Sequence, residues 1–190
     1  MGRTLVLHLL AGLLLLGSAP AARATSVERF DLQELTRRAE VIVHGRCTGT
    51  ESRKDAQGMI VTDVHLEVVE LFKVADGADK SVKRLTFTIY GGVVGNRGST
   101  IHGAPTFTKD EEVLLFLGEV NANGLRTCVG LSQGKYSIRV DQGKKLAFRN
   151  LEGLTLIDRA TGEVLDPGKP DQGVPFEELR QRVRTHLESK

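Results

Sequence analysis

Alternation of apolar and polar residues at a period of two constrains this chain more than any other feature. In the stretch from about Met59 to Phe72, Val64, Leu66 and Val68 fall on one face, and His65, Glu67 and Val69 on the other. Leu85, Phe87 and Ile89 alternate in the same way with Arg84, Thr86 and Thr88. Successive side chains of an extended strand point to opposite faces, so each stretch reads as a half-buried antiparallel strand. Further strands are expected at Val41–Cys47, at Glu112–Leu117 (a compact apolar run), at Leu125–Val129 and at Tyr136–Val140. Shorter ones follow at Leu146–Phe148, Leu154–Ile157 and Glu163–Leu165. Asn121-Ala122-Asn123-Gly124 is a hairpin-turn signal between two of them. No strand–helix–strand alternation appears. With no tryptophan and only 5% aromatic residues, the core must be built from Val, Leu and Ile.

Helices are expected only at the two ends of the strand-rich region. Asp31-Leu32-Gln33-Glu34 resembles a capping box preceded by Phe30 as a staple residue, and Leu32, Leu35 and Ala39 follow at helical spacing. Near the C-terminus, Pro175 suits a first turn, and Glu177 and Glu178 suit a positive helix N-terminus. Phe176, Leu179, Val183 and Leu187 then form one apolar stripe opposite Arg180, Arg182, Arg184 and Lys190, the pattern of an amphipathic helix docked on a sheet. A Pro/Gly/Asp linker, Asp166–Gly173, precedes it.

Residues 1–24 read as a cleavable signal peptide. Arg3 supplies the positive region, Leu5–Leu16 the apolar run, and Ala22-Arg23-Ala24 the small-x-small cleavage pattern. That run of 12 residues falls short of the roughly 20 that a membrane span needs. The expected mature chain begins near Thr25, carries no stable membrane anchor and is periplasmic or secreted. The leader holds Arg3 and Arg23 and no acid, so the formal charge of the mature chain is 2 − 2 = 0. A neutral domain exerts no global pull on nucleic acid, and that partner class is excluded. The remaining 166 residues suit a single hydrophobic core. Cys47 and Cys128 are candidates for one disulfide in an oxidising compartment. Neither has a second Cys or His at ligand spacing, and no metal or cofactor is expected.

Several stretches resemble a group of exported bacterial proteins of unassigned activity. They are Ala39-Glu40-Val41-Ile42-Val43-His44-Gly45, Val64–Lys73, Gly91-Gly92, Gly103-Ala104-Pro105-Thr106-Phe107, Asp110–Leu117 and Gly130-Leu131-Ser132-Gln133-Gly134-Lys135-Tyr136. The strand order is similar, more distantly, to the netrin-like, OB-type barrel of the tissue inhibitors of metalloproteinases. The resemblance covers roughly residues 33–140 and implies a mainly β fold. The expected architecture is a small antiparallel OB-like (netrin-like) barrel with a short N-terminal helix over residues 25–140. A β-hairpin appendage, a linker and a C-terminal amphipathic helix follow over 141–190. Two departures limit what carries over. Lys73-Val74-Ala75-Asp76 lacks the glycine that follows the lysine in the group's pattern. The inhibitors chelate zinc through an N-terminal cysteine, whereas the expected mature chain has none before Cys47.

The chemistry-bearing motifs are sparse. Gly130-Leu131-Ser132-Gln133-Gly134 matches the nucleophile elbow G-x-S-x-G, with Asp158 or Asp171 and then His186 in the permitted order. Lys135–Val140 alternates like a strand, however, where an elbow requires a helix. The glycine-rich connection from Gly91 to Lys109 matches no phosphate-binding spacing. Long connections on rigid β frames carry recognition, and its polar groups Arg97, Thr100, His102 and Lys109 are the candidate binding residues. His44 and His65 both lie on strands, but two imidazoles alone do not make a zinc site, and they read as surface or half-buried structural histidines. Glu67, Glu70 and Asp110–Glu112 read as solvated carboxylates. The expected function is that of an exported, non-catalytic binding module for a secreted or envelope protein. The alternatives are a small secreted serine hydrolase using Ser132, and a purely structural envelope protein.

Overall fold

A computed structural model describes residues 25–165 and 173–189; the expected signal peptide, and Asp171, lie outside them. The chain order is β1 (Thr25–Glu28), α1 (Leu32–Arg38), β2 (Val41–Lys54), β3 (Ile60–Lys73), β4 (Arg84–Tyr90), β5 (Gly92–Val94), β6 (Arg97–Ser99) and β7 (Glu112–Val120). Then come β8 (Arg126–Cys128), a 3-10 turn (Leu131–Gly134), β9 (Lys135–Asp141), β10 (Lys144–Phe148), β11 (Leu154–Ile157), β12 (Val164–Leu165), β13 (Val174–Pro175) and α2 (Phe176–Glu188). The fold is mainly β, with several antiparallel sheets and two helices.

The helix ends form for local reasons. Asp31 caps α1 by accepting from the Glu34 amide at 2.8 Å, as the capping-box pattern predicts. The Asn121–Gly124 turn closes the β7–β8 hairpin through Asn121 N to Leu125 O, 2.9 Å.

The main sheet runs β13-β10-β9-β7-β2-β3-β4, with β8 alongside β7. β7 sits at its centre, and this explains its continuous apolar sequence. Leu114 and Phe116 point to one face, where they meet Leu35, Ile42, Tyr136, Phe176, Leu179 and Val183. Val113, Leu115 and Leu117 point to the other, with Val43, Cys47, Val64, Leu66, Phe87 and Cys128. A strand buried on both faces has no use for a polar alternate. α2 closes the first face. Its residues Phe176, Leu179 and Val183 are buried, each worth roughly 1.5–3 kcal/mol of transferred apolar surface.

The expected closed barrel does not form among the described residues. β4 pairs only with β3, and the sheet stays open between β4 and β8. The two come close, but the gap is bridged by side chains: Asn121 Nδ2 donates to the Tyr90 hydroxyl at 3.0 Å. β8 has three residues, and its ladder with β7 is interrupted between Leu117 and Val120. It therefore offers β4 no straight edge to pair with. Residues beyond 140 are woven into the same hydrogen-bonding network. β10 pairs with β9 and β13, and β11 pairs in parallel with β1. The 140/141 boundary falls inside β9, within the β9–β10 hairpin.

Candidate functional site

The long connection after β4 is more ordered than its glycine content suggests. Its first part is the β5–β6 hairpin, laid across the outer ends of β2 and β3. Thr62 donates to the Gly91 carbonyl at 2.7 Å, which leaves its oxygen to accept from Ser52 at 2.9 Å. Ser52 in turn accepts from the Val93 amide at 3.3 Å. The hairpin approaches so closely that a Cβ on Gly92 would lie 2.3 Å from Thr62 Oγ1 and 2.4 Å from Ser52 Oγ. Gly92 also has φ +133°, and only glycine meets both demands.

The second part, Thr100–Phe107, is a strap that ends by packing Phe107 against Phe87, ring centroids 5.4 Å apart. Clefts open on either side of it. The first, about 420 Å³, lies between the strap, the hairpin and the ends of β2–β4. The second, about 340 Å³, lies between the strap, the 3-10 turn and residues 150–153. Thr100, Ile101, Ala104, Pro105 and Thr106 line both. A third, about 630 Å³, lies beyond the hairpin, with Lys54, Met59 and Arg97 on its walls.

Of the residues singled out from the sequence, Thr100 lines the first and second clefts, His102 the second and Arg97 the third. Lys109 lines none of the three. Thr50, Ser52, Thr62 and Tyr90, which line the first, were not singled out. A signal was present for Thr62, which continues the Val64–Leu66 face as a polar residue on a buried register. The hydroxyls of Thr50 and Ser52 carried no comparable mark.

Ser132 is buried, its amide donates to Gly103 O at 3.0 Å, and its Oγ has no hydrogen-bond partner. The 3-10 turn that carries it leads directly into β9, so the strand–turn–helix of a nucleophile elbow is absent. Of its expected partners, Asp158 accepts from the Ala160 and Thr161 amides in a turn, and His186 lies on α2 and does not line the Ser132 cleft.

The packing places three further groups of residues. His44 stands opposite Glu70 while His65 stands opposite Gly49, so the two imidazoles do not meet. His44 is instead buried against Phe176, ring centroids 4.7 Å apart, with Nε2 2.8 Å from Glu112 Oε1. Burial lowers its pKa below the ordinary 6.5, more than the Glu112 contact raises it. No group of three or more potential metal ligands occurs among the described residues.

Glu67 and Asp110 are exposed, as expected, whereas the other three carboxylates are not simply solvated. Glu70 holds Arg180 and Arg184, each at 2.6 Å, and thereby ties α2 to β3. Glu111 pairs with Lys135 and Ser137, each at 2.7 Å, and Glu112 with His44 and Lys145. For all three, burial pushes the pKa up, but the cationic and hydroxyl donors outweigh it and leave it lowered.

Cys47 and Cys128 are buried free thiols rather than a disulfide. Cys128 stands opposite Leu117, which stands opposite Val41. Cys47 lies six residues farther along β2, so the two thiols share one core without sharing a register position. Burial raises both thiols, Cys128 to about 12.

No family model, no curated protein and no solved structure matches this chain. Among the described residues, no helix is long and apolar enough to cross a membrane.

Proposed function

We propose that this chain is an exported, non-catalytic binding module that engages a secreted or envelope protein through the Gly91–Phe107 segment. One observation carries the reading: three clefts converge on this segment. The other groups with chemical potential are engaged within the protein, Lys135 on the wall of the second cleft. Glu70, Glu111, Glu112 and Lys135 are held in ion pairs, and both thiols are buried. The β2–β3–β4 meander with β7 beside β2 fits a partly open, OB-like design, a frame whose loops carry recognition. Removal of residues 1–24 delivers this module to the periplasm or the medium, and intact-mass analysis of the exported protein should place the N-terminus near Thr25.

The test is capture from the exported fraction with wild type and with a variant shortened across residues 93–102. The reading expects at least one partner retained by wild type and lost by the variant. Identical retention by both removes the segment from the interface. A second reading, hydrolysis at Ser132, is favoured by one fact: its buried Oγ is unpartnered and borders a cleft that also contains His102. Ester hydrolysis by purified protein, abolished in Ser132→Ala, would establish that reading and end the first.

A further inference from the structure

The first cleft has an unusual lining. None of its 15 residues carries a charge, although charged residues make up 26% of the chain and about four would be expected by proportion. Hydroxyl groups take their place. Those of Ser52 and Thr62 are spent within the protein, each as donor and acceptor. The hydroxyls of Thr50, Ser99, Thr100 and Thr106, all on exposed residues, make no hydrogen bond among the described residues and are open to a ligand. Tyr90 accepts from Asn121 through its oxygen and keeps its own proton to donate. The rings of Tyr90 and Phe107 add apolar surface between these hydroxyls.

From this arrangement we infer that the first cleft binds a neutral saccharide. A hydroxyl both donates and accepts, so a row of unspent hydroxyls is matched best by a ligand that is itself rich in hydroxyls. An apolar ligand would bury these groups without partners, which costs about 1–3 kcal/mol for each one. A charged ligand would be desolvated with no opposite charge to meet it. A sugar ring satisfies both conditions. Its hydroxyl rim meets the threonines and serine, and its C–H face meets the Tyr90 ring; Phe107 is already packed against Phe87 and under the Lys135 ammonium, and adds only its free edge. A volume of about 420 Å³ is within the usual range for small-ligand sites. The inference deepens the binding-module reading and rests on the Gly91–Phe107 segment as its contact surface.

The protein carries its own reporter. It has two tyrosines and no tryptophan. Tyr136 is buried in the core on the helix side, whereas Tyr90 lines the cleft. Titration of the exported protein with maltose, cellobiose and N,N′-diacetylchitobiose should change tyrosine emission for at least one of them, saturating below about 10 mM. Glucuronic acid is the charged comparison and should bind more weakly. Thr100→Val and Thr106→Val are close in shape to the native residues. Each should weaken binding by about fivefold, the value of one hydrogen bond, as read by saturation-transfer NMR. Far-ultraviolet circular dichroism should confirm that both variants stay folded.

The inference is overturned if none of the neutral probes saturates, if glucuronic acid binds better, or if both valine variants bind as wild type does. A neutral Ser/Gly peptide that saturates the site in their place also overturns it. The capture experiment separates the two readings. A partner lost with the shortened segment, in a protein that binds no saccharide, leaves the binding module standing and removes the saccharide.

Discussion

Replacing Gly92 with alanine tests how the candidate site is built. The added Cβ would sit 2.3 Å from Thr62 Oγ1, where ordinary contact begins at 3.4 Å, so either the hairpin lifts or the Ser52 and Thr62 side chains turn away. Either movement breaks the 2.7 Å bond from Thr62 to the Gly91 carbonyl. Overpacking of this kind costs about 1–3 kcal/mol, backbone strain at φ +133° about 1–3 kcal/mol, and the lost bond about 1 kcal/mol. The hairpin is a local element, and β6 pairs only with β5. The strain is therefore relieved by opening the hairpin rather than by unfolding the sheet. Hydrogen exchange should show amide protection across residues 91–99 reduced by at least about 30-fold, with β2, β3 and β7 unchanged. Gly95→Ala is the control. It has φ +62° and no atom within 4 Å of an added Cβ, so it carries only the left-handed strain of about 1–2 kcal/mol. Equal exchange in the two variants would refute the claim that contact with Ser52 and Thr62 seats the hairpin.

Other outcomes follow from the same packing. Phe176→Ala should lower unfolding stability by about 3–5 kcal/mol in urea titration, because the ring is buried between His44 and the helix-side core; a loss below about 1 kcal/mol would mean that α2 is not docked. The depressed His44 pKa means that the unfolded state binds the proton more readily, so stability is complete above 6.5 and falls as the pH drops below it. The lowered carboxylates Glu70, Glu111 and Glu112 add a second loss that begins below about 4.5. His44→Gln should flatten the first segment of a stability–pH curve and leave the second; an unchanged curve would remove His44 as its cause. Both thiols should be inert to an aromatic disulfide reagent in the native protein and react fully in denaturant. An exported protein two mass units lighter than its reduced form would instead reveal a bridge.

Much of the fold was legible in the chain because local physics dictates it. Period-two alternation marked β3 and β4, an unbroken apolar run marked the doubly buried β7, and a capping aspartate and an apolar stripe marked the two helices. Of the candidates on the long connection, Arg97, Thr100 and His102 each line a cleft. Lys109 does not: proximity in sequence did not bring it to the same walls.

What the sequence determined by itself was which residues are extended, which face each one presents, and where turns and caps interrupt them, since these depend on neighbours a few positions away. The tertiary structure alone decided which strands pair and at what register. Those choices opposed His44 to Glu70 instead of His65, left Cys47 and Cys128 as free thiols in one core, and joined β1 to β11 across more than a hundred residues. They also left the sheet open between β4 and β8, where a short, irregular β8 could not complete a ladder. Alternation assigns a side chain to a face, but it carries no information about which strand lies opposite. That is settled by the packing of two cores against one central sheet, and it is the same packing that turns a glycine-rich connection into a walled, uncharged cleft.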